Sequence, residues 1–308
     1  MKKLVTFSLL LSLINMGNKT SPAIIDGESL LPGSINNTLW VATVQMHSSH
    51  DLNENTKTIC RYLSECAQKG VRVVVFPECV TSGYFREDIP RYSEKDFLNA
   101  EKEIAEACRK NNIYAIIGTP YFENNNLYNM ALVINNEGQT IYRQAKIYLV
   151  GADKPWAQEG NKLGVFKIDD IVCSVLICHD SRYPELARLP VMKGSRVVFY
   201  ISSESPITNE VKIEPYRAQV VARAVENQVY VVHANTPQKI DPFEGSHGQS
   251  RIVDPNGTIL KEATIFGEEI LIEVLDINRA TGKTAQRSLE SPFLKKWWKS
   301  GLKLVNDP

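Results

Sequence analysis

Three residues stand where chemistry is possible: Cys178, Glu78 and Lys146. Cys178 closes the apolar run Val172 to Ile177 and is followed at once by His179, Asp180, Ser181, Arg182 and Glu185. A side chain at the carboxyl end of a buried strand points into the crevice where α/β proteins place their sites. An ordinary thiol has a pKa of ~8.5 and is only a few per cent thiolate at neutral pH, so a cysteine nucleophile needs activation. N–H groups from the following turn would stabilise the thiolate. The plainer alternative is a packed, inert cysteine, and the polar cluster behind it weighs against that.

Glu78 follows Val73-Val74-Val75-Phe76-Pro77, so a carboxylate stands at the exit of a second buried strand. There it must be paired or have its pKa raised. A raised pKa suits a general base for a thiol and a general acid for departing ammonia; a cap or rim salt bridge is the alternative. Lys146 leaves the strand that ends Tyr142-Arg143-Gln144-Ala145. Most lysines are surface residues. Beside a thiolate and a carboxylate, this one would stabilise the oxyanion of a tetrahedral intermediate. Such chemistry calls for no cofactor and no metal. Cys178, His179 and Asp180 are adjacent on a turn and diverge, which is poor metal geometry.

The elements that must position these residues can be read from periodicity. Strands are expected at Leu39 to Met46, Val71 to Phe76, Ile113 to Gly118, Arg196 to Ser202, Gln228 to His233 and Glu269 to Leu275, and helices at Asp51 to Gln68, Asp96 to Lys110 and Glu210 to Asn227. Hairpins intrude at Leu127 to Gln144, Gly164 to Ile177 and around Asp254-Pro255-Asn256-Gly257. Pro184 opens a further helix, and Ser291 to Val305 reads as a terminal amphipathic helix carrying Trp297 and Trp298. The stretch Lys69 to Phe76 echoes Lys193 to Tyr200: helix end, glycine stop, buried strand. Two similar halves about a pseudo-two-fold axis are implied. The fold expected is α/β: two mixed sheets with helices outside, in one domain.

Composition narrows the function. Lys+Arg and Asp+Glu are both 35, and 43% of the 308 residues are hydrophobic. A neutral net charge does not draw the chain toward nucleic acid, whose binders carry a basic face or stripe, so a small-molecule partner is the default. The six cysteines form no C-x-x-C pair, which argues against a zinc ribbon or a redox motif. Cys79 reads as packing, and His233 and His247 as structural. At the amino terminus, Lys2 and Lys3, the apolar run Leu4 to Met16 and Ser21-Pro22-Ala23 read as a secretory signal peptide. The expectation is export to the periplasm or medium, and cytoplasmic residence otherwise.

Phe76-Pro77-Glu78, Tyr142 to Lys146 and Cys178 to Glu185 resemble the three signature blocks of the nitrilase superfamily, in the family's order. Arg223 to Val232 and Gly248 to Pro255 resemble it as well, and the likeness runs from about Leu39 to Leu275. The resemblance implies a four-layer α-β-β-α sandwich, pairing across a homodimer or higher homo-oligomer. With the readings of the two ends, the chain is expected to divide into a signal peptide (1–23), a polar extension (24–38), a carbon–nitrogen hydrolase domain (39–280) and a helical tail (281–308) that offers a dimer contact.

It also implies that Glu78 is base and acid, that Lys146 and the backbone N–H of His179 hold the oxyanion, and that Cys178 attacks the carbonyl carbon. Asp153 falls where many members carry a second glutamate, with Glu159 the other carboxylate nearby, and Tyr148 stands where a histidine is common. His179-Asp180 after the cysteine looks like the amidase and carbamoyl-amidase branches, and Arg182 resembles arginines that hold substrate carboxylates. Its alternative is a structural pair with Asp180 or Glu185. Tyr84 and Ser203 are the other expected substrate contacts. The function implied is hydrolysis of a small amide or N-carbamoyl compound through a cysteine thioester, releasing ammonia. An acyltransferase using the same thioester and an inactive binding protein are the alternatives.

Overall fold

The structure, a computed structural model, describes residues 37–206, 213–240 and 244–308. The expected signal peptide and all but the last two residues of the polar extension lie outside these. In chain order the elements are β1 (Thr38–Gln45), α1 (Leu52–Gln68), β2 (Val73–Val75), α2 (Glu94–Asn111), β3 (Tyr114–Glu123), β4 (Asn126–Ile134), β5 (Thr140–Ala145), β6 (Leu163–Gly164), β7 (Phe166–Ile168), β8 (Ile171–Ile177) and α3 (Pro184–Met192). There follow β9 (Val197–Ser202), α4 (Ile213–Asn227), β10 (Tyr230–Asn235), β11 (Gln238–Lys239), β12 (Glu244–Gly245), β13 (Arg251–Val253), β14 (Ile259–Glu262), β15 (Glu269–Asp276), α5 (Lys283–Arg287), α6 (Lys295–Leu302) and β16 (Val305–Asn306).

Two six-stranded mixed sheets result, ordered β15-β1-β2-β3-β4-β5 and β14-β13-β10-β9-β8-β7. Read from β15 and from β7, both run antiparallel, parallel, parallel, antiparallel, antiparallel. This identity of order and direction is the pseudo-two-fold expected from the sequence echo. Strand alternation then builds the layers. Val73, Val75 and Ile116 of one sheet meet Val175, Ile177, Phe199 and Val232 of the other in a shared core. Their neighbours Val74 and Ala115 face Ile59, Leu63 and Ile104 of α1 and α2. Val198 and Leu176 face Ala187, Val191 and Val220 of α3 and α4. The order is therefore helix, sheet, sheet, helix.

Local chemistry sets the helix ends. Asp51 caps α1 by accepting from the N–H groups of Asn53 and Glu54. Ser93 and Asp96 form a reciprocal box at α2.

Two expectations are corrected. The strand expected to stop at Gly118 runs on to Glu123 and forms a long hairpin with β4, because Asn124 and Asn125 both adopt positive φ and close a tight turn. The terminal helix is shorter than Ser291 to Val305: α6 ends at Leu302, and Val305–Asn306 pairs in parallel with Leu163–Gly164. Trp298 packs on the α3/α4 layer while Trp297 stays more than half exposed.

Candidate active site

Strands of both sheets deliver the expected residues to one place. Glu78 follows β2, Lys146 follows β5, and Cys178 follows β8. Lys146 Nζ lies 2.8 Å from Glu78 Oε1 and 2.7 Å from Asp153 Oδ2, with all three side chains fully buried. Asn129 Nδ2 donates to both carboxylates, at 2.7 Å to Glu78 Oε1 and 3.1 Å to Asp153 Oδ1. The Tyr84 hydroxyl donates to Asp153 Oδ1 at 2.5 Å, and the backbone N–H of Ser203 donates to Glu78 Oε2 at 2.8 Å. Asp153, one methylene shorter than the glutamate the resemblance implied, still reaches the lysine; Glu159 is exposed and takes no part.

Close backbone approaches hold these turns. A Cβ on Gly118 of β3 would lie 2.3 Å from the Pro77 oxygen and 2.5 Å from Glu78 Cα, so only glycine lets the Glu78 loop sit where it does. Gly160 does the same for the lysine: its Cβ would lie 2.4 Å from the Ala145 oxygen, and its N–H donates to the Lys146 carbonyl.

Cys178 sits at a sharp turn from β8 into a short 3₁₀ segment, Cys178–Arg182, with φ of 45°. A non-glycine residue in the left-handed region is strained and persists only where its surroundings fix it. Asp180 is one such tie. Its buried carboxylate accepts from the N–H of Tyr148 at 2.8 Å and of Ile147 at 3.2 Å, the two residues after Lys146. The turn of Cys178 and the loop of Lys146 are thus joined. Sequence reading placed Asp180 in a polar cluster and missed this role, since no local pattern reports a bond across 33 residues.

Electrostatics follow from the burial. Desolvation raises the Glu78 pKa, Lys146 opposes, and Asp153 adds to the rise. Burial works against the Lys146 charge, but Cys178, Glu78 and Asp153 outweigh it and its pKa ends well above the usual value. One ammonium thus lies between two buried carboxylates, and Glu78 is the one whose affinity for a proton is raised. Burial pushes the Cys178 thiol well up, and the Glu78 charge pushes it further against the opposing pull of Lys146. The shift is upward, opposite to the lowering that N–H groups of the following turn would give. Burial lifts Asp180 to about 7 despite the N–H groups it accepts from. Burial also lowers the His179 pKa, which keeps its imidazole neutral.

The thiol opens on a cavity of about 750 Å³ lined by His179, Arg182, Tyr84, Ser203, Glu204 and Tyr216, among others. Among the described residues Arg182 has no ion pair; it lies 3.5 Å from the Tyr216 hydroxyl and over its ring rather than on Asp180 or Glu185. Tyr84 and Ser203, expected as substrate contacts, do line the cavity, but their polar groups named above are spent on Asp153 and Glu78. Cys79 is buried against Asn129. The two histidines do have partners: His233 Nε2 lies 2.8 Å from Ser202 Oγ, and His247 Nε2 lies 2.9 Å from Glu204 Oε2.

Two mixed sheets between helices, with a glutamate, a lysine and a cysteine at the strand ends, define a class, and residues 40–284 match the carbon–nitrogen hydrolase family model. The chain belongs to the carbon–nitrogen hydrolase family. It is similar to the 2-oxoglutaramate amidase of Bacillus subtilis (strain 168), at 30% identity over 68% of this chain and 80% of that protein. It is also similar to the omega-amidase NIT2 of Mus musculus, at 29% identity over 84% and 94% of the two chains. Among solved structures, Saccharomyces cerevisiae Nit3, a member of branch 10 of the nitrilase superfamily, superposes with a TM-score of 0.75. Its identity is 26%, over 83% of this chain and 96% of that one.

Proposed function

We propose that this chain hydrolyses the terminal amide of a small carboxylate-bearing compound, through a thioester on Cys178, and releases ammonia. The observation that carries the reading is the fully buried cluster in which Lys146 Nζ lies within 2.8 Å of both Glu78 and Asp153, beside a cavity that Cys178 lines. Glu78, whose pKa is raised, accepts the thiol proton as the sulfur attacks the carbonyl carbon. The ammonium of Lys146 and the backbone N–H of His179 hold the oxyanion. The tetrahedral species collapses, the C–N bond breaks, and Glu78 returns its proton to the leaving nitrogen as ammonia. Water then attacks the thioester carbonyl carbon while Glu78 takes its proton, a C–O bond forms, the C–S bond breaks to release the carboxylic acid, and Glu78 returns the proton to the sulfur.

Arg182 supplies the substrate preference. A guanidinium at the cavity with no ion pair among the described residues suits a carboxylate in the bidentate manner. The relatives named omega-amidase and 2-oxoglutaramate amidase support a monoamide of a dicarboxylic acid over a neutral amide or a carbamoyl compound. Asp153 in contact with Lys146 removes the shortened carboxylate as an argument for an inactive protein. Export and a homodimer belong to this proposal as well; Phe293, Trp297 and Leu304 leave apolar surface on the tail that suits a contact between copies.

The test is ammonia release from dicarboxylate monoamides, neutral amides and carbamoyl amino acids, with Cys178→Ala as control. Turnover of the monoamides that vanishes in the variant is expected. Turnover by a folded Cys178→Ala protein would contradict the reading.

A further inference from the structure

Beyond the ammonium cluster the cavity wall carries another buried carboxylate, Glu204, whose side chain is 2% exposed. Its Oε1 accepts the Tyr200 hydroxyl at 2.5 Å. The same hydroxyl accepts from Ser181 Oγ at 3.1 Å, and Ser181 belongs to the short turn that begins at Cys178. On its other side Glu204 Oε2 lies 2.9 Å from His247 Nε2, a close polar contact in which neither atom has a well-directed hydrogen bond. The Glu204 N–H donates to Asn235 Oδ1 at 3.3 Å. One residue earlier, the Ser203 N–H donates to Glu78. The segment after β9 therefore reaches the nucleophile's turn by one route and the carboxylate base by another.

We infer that Glu204 is a positioning residue for amide hydrolysis: through Tyr200 and Ser181 it holds the turn of Cys178, and by fixing the end of β9 it keeps the Ser203 N–H on Glu78. This rests on the proposed roles of Cys178 and Glu78. The strained φ at Cys178 is the physical need for such a hold; Asp180 ties the turn to the lysine loop, and Glu204 ties it to the opposite wall. The charged and titratable groups facing Glu204 are Tyr200 of β9, His247, Tyr216 of α4, Arg251 of β13 and Cys178 itself. Its negative charge acts on the thiol in the same direction as Glu78. Neutralising it makes the sulfur easier to ionise.

Three variants test this: Tyr200→Phe, which removes one hydroxyl from a packed ring, Glu204→Ala, and Glu204→Gln, which keeps an acceptor but no charge. Two readouts are taken, steady-state hydrolysis of a dicarboxylate monoamide and the pH midpoint of Cys178 labelling by iodoacetamide. Tyr200→Phe and Glu204→Ala are expected to lower kcat by about tenfold or more, as misplacement of a nucleophile does, with little change in KM. Glu204→Gln is expected to recover most of kcat and to label at lower pH than the parent.

Full kcat and parental labelling in Tyr200→Phe would overturn the inference. So would a rise in KM alone in the Glu204 variants, which would make Glu204 a substrate contact. If the parent hydrolyses no amide, the proposed function fails, and the labelling profiles still decide this inference: identical midpoints in the parent and Glu204→Gln overturn it.

Discussion

A single ammonium shared by two buried carboxylates sets the behaviour of individual residues. Removing the cation leaves Glu78 and Asp153 facing each other without compensation, and breaking a buried pair in this way costs roughly 3–5 kcal/mol. Lys146→Met is therefore expected to destabilise the fold strongly at neutral pH. Part of that loss should be recovered on acidification, because carboxylates whose folded pKa is raised contribute stability at low pH and lose it as pH rises. Urea titrations at two pH values measure this. Cys178→Ala, a small change at the cavity edge, should abolish turnover and leave the urea midpoint nearly unmoved. Asp180 makes a further prediction. Its folded pKa of about 7 lies above the unfolded value of ~3.9, so its contribution is present in acid and lost as pH rises from ~4 through 7. Holding it charged at pH 8 costs on the order of 4 kcal/mol. Asp180→Asn keeps an acceptor for the two N–H groups and should gain stability relative to the parent between pH 5 and pH 8; parallel pH curves would refute this.

At the scale of elements, the site depends on how closely strands approach the loops they carry. Gly118→Ala places a methyl group 2.3 Å from the Pro77 oxygen. It should push the Glu78 loop outward and lower kcat by about a hundredfold, as an ångström of misplacement does. The overpacking cost in stability is roughly 1–3 kcal/mol. Unaltered kcat in that variant would show that the approach is not needed. The sequence signals reached this scale unevenly. Val73-Val74-Val75-Phe76 is an unbroken apolar run and Val172 to Ile177 is interrupted only by Ser174, so the strands, and with them Glu78 and Cys178, could be located from the chain alone. The hold of Asp180 on Ile147 and Tyr148, the path from Glu204 to Ser181 and the need for Gly118 could not. Each is a contact between residues distant in sequence, and neither periodicity nor spacing encodes it. The tail misled for a different reason: Trp297 and Trp298 gave a helical pattern, but the short pairing of Val305 with Leu163 ends it early.

For the whole molecule, the two equivalent six-stranded sheets bring the ends of β2 and β8 to one place, Glu78 coming from one half and Cys178 from the other. The repeat of Lys69 to Phe76 in Lys193 to Tyr200 made that symmetry visible before any coordinates. At this scale the prediction concerns selectivity. A charge-assisted bond is worth ~1.5–3 kcal/mol, so Arg182→Ala should lower kcat/KM on a dicarboxylate monoamide by about ten- to a hundredfold and scarcely affect a neutral amide of similar length. Equal losses on both would remove Arg182 from recognition.

Covalent catalysis at Cys178 is tested by the intact mass of enzyme quenched with acid during turnover of a slow amide, followed by peptide mapping. An added acyl mass, with ammonia lost, is expected on the peptide carrying Cys178 alone and is expected to be absent from Cys178→Ala. Steady turnover with the acyl group on another residue would contradict it.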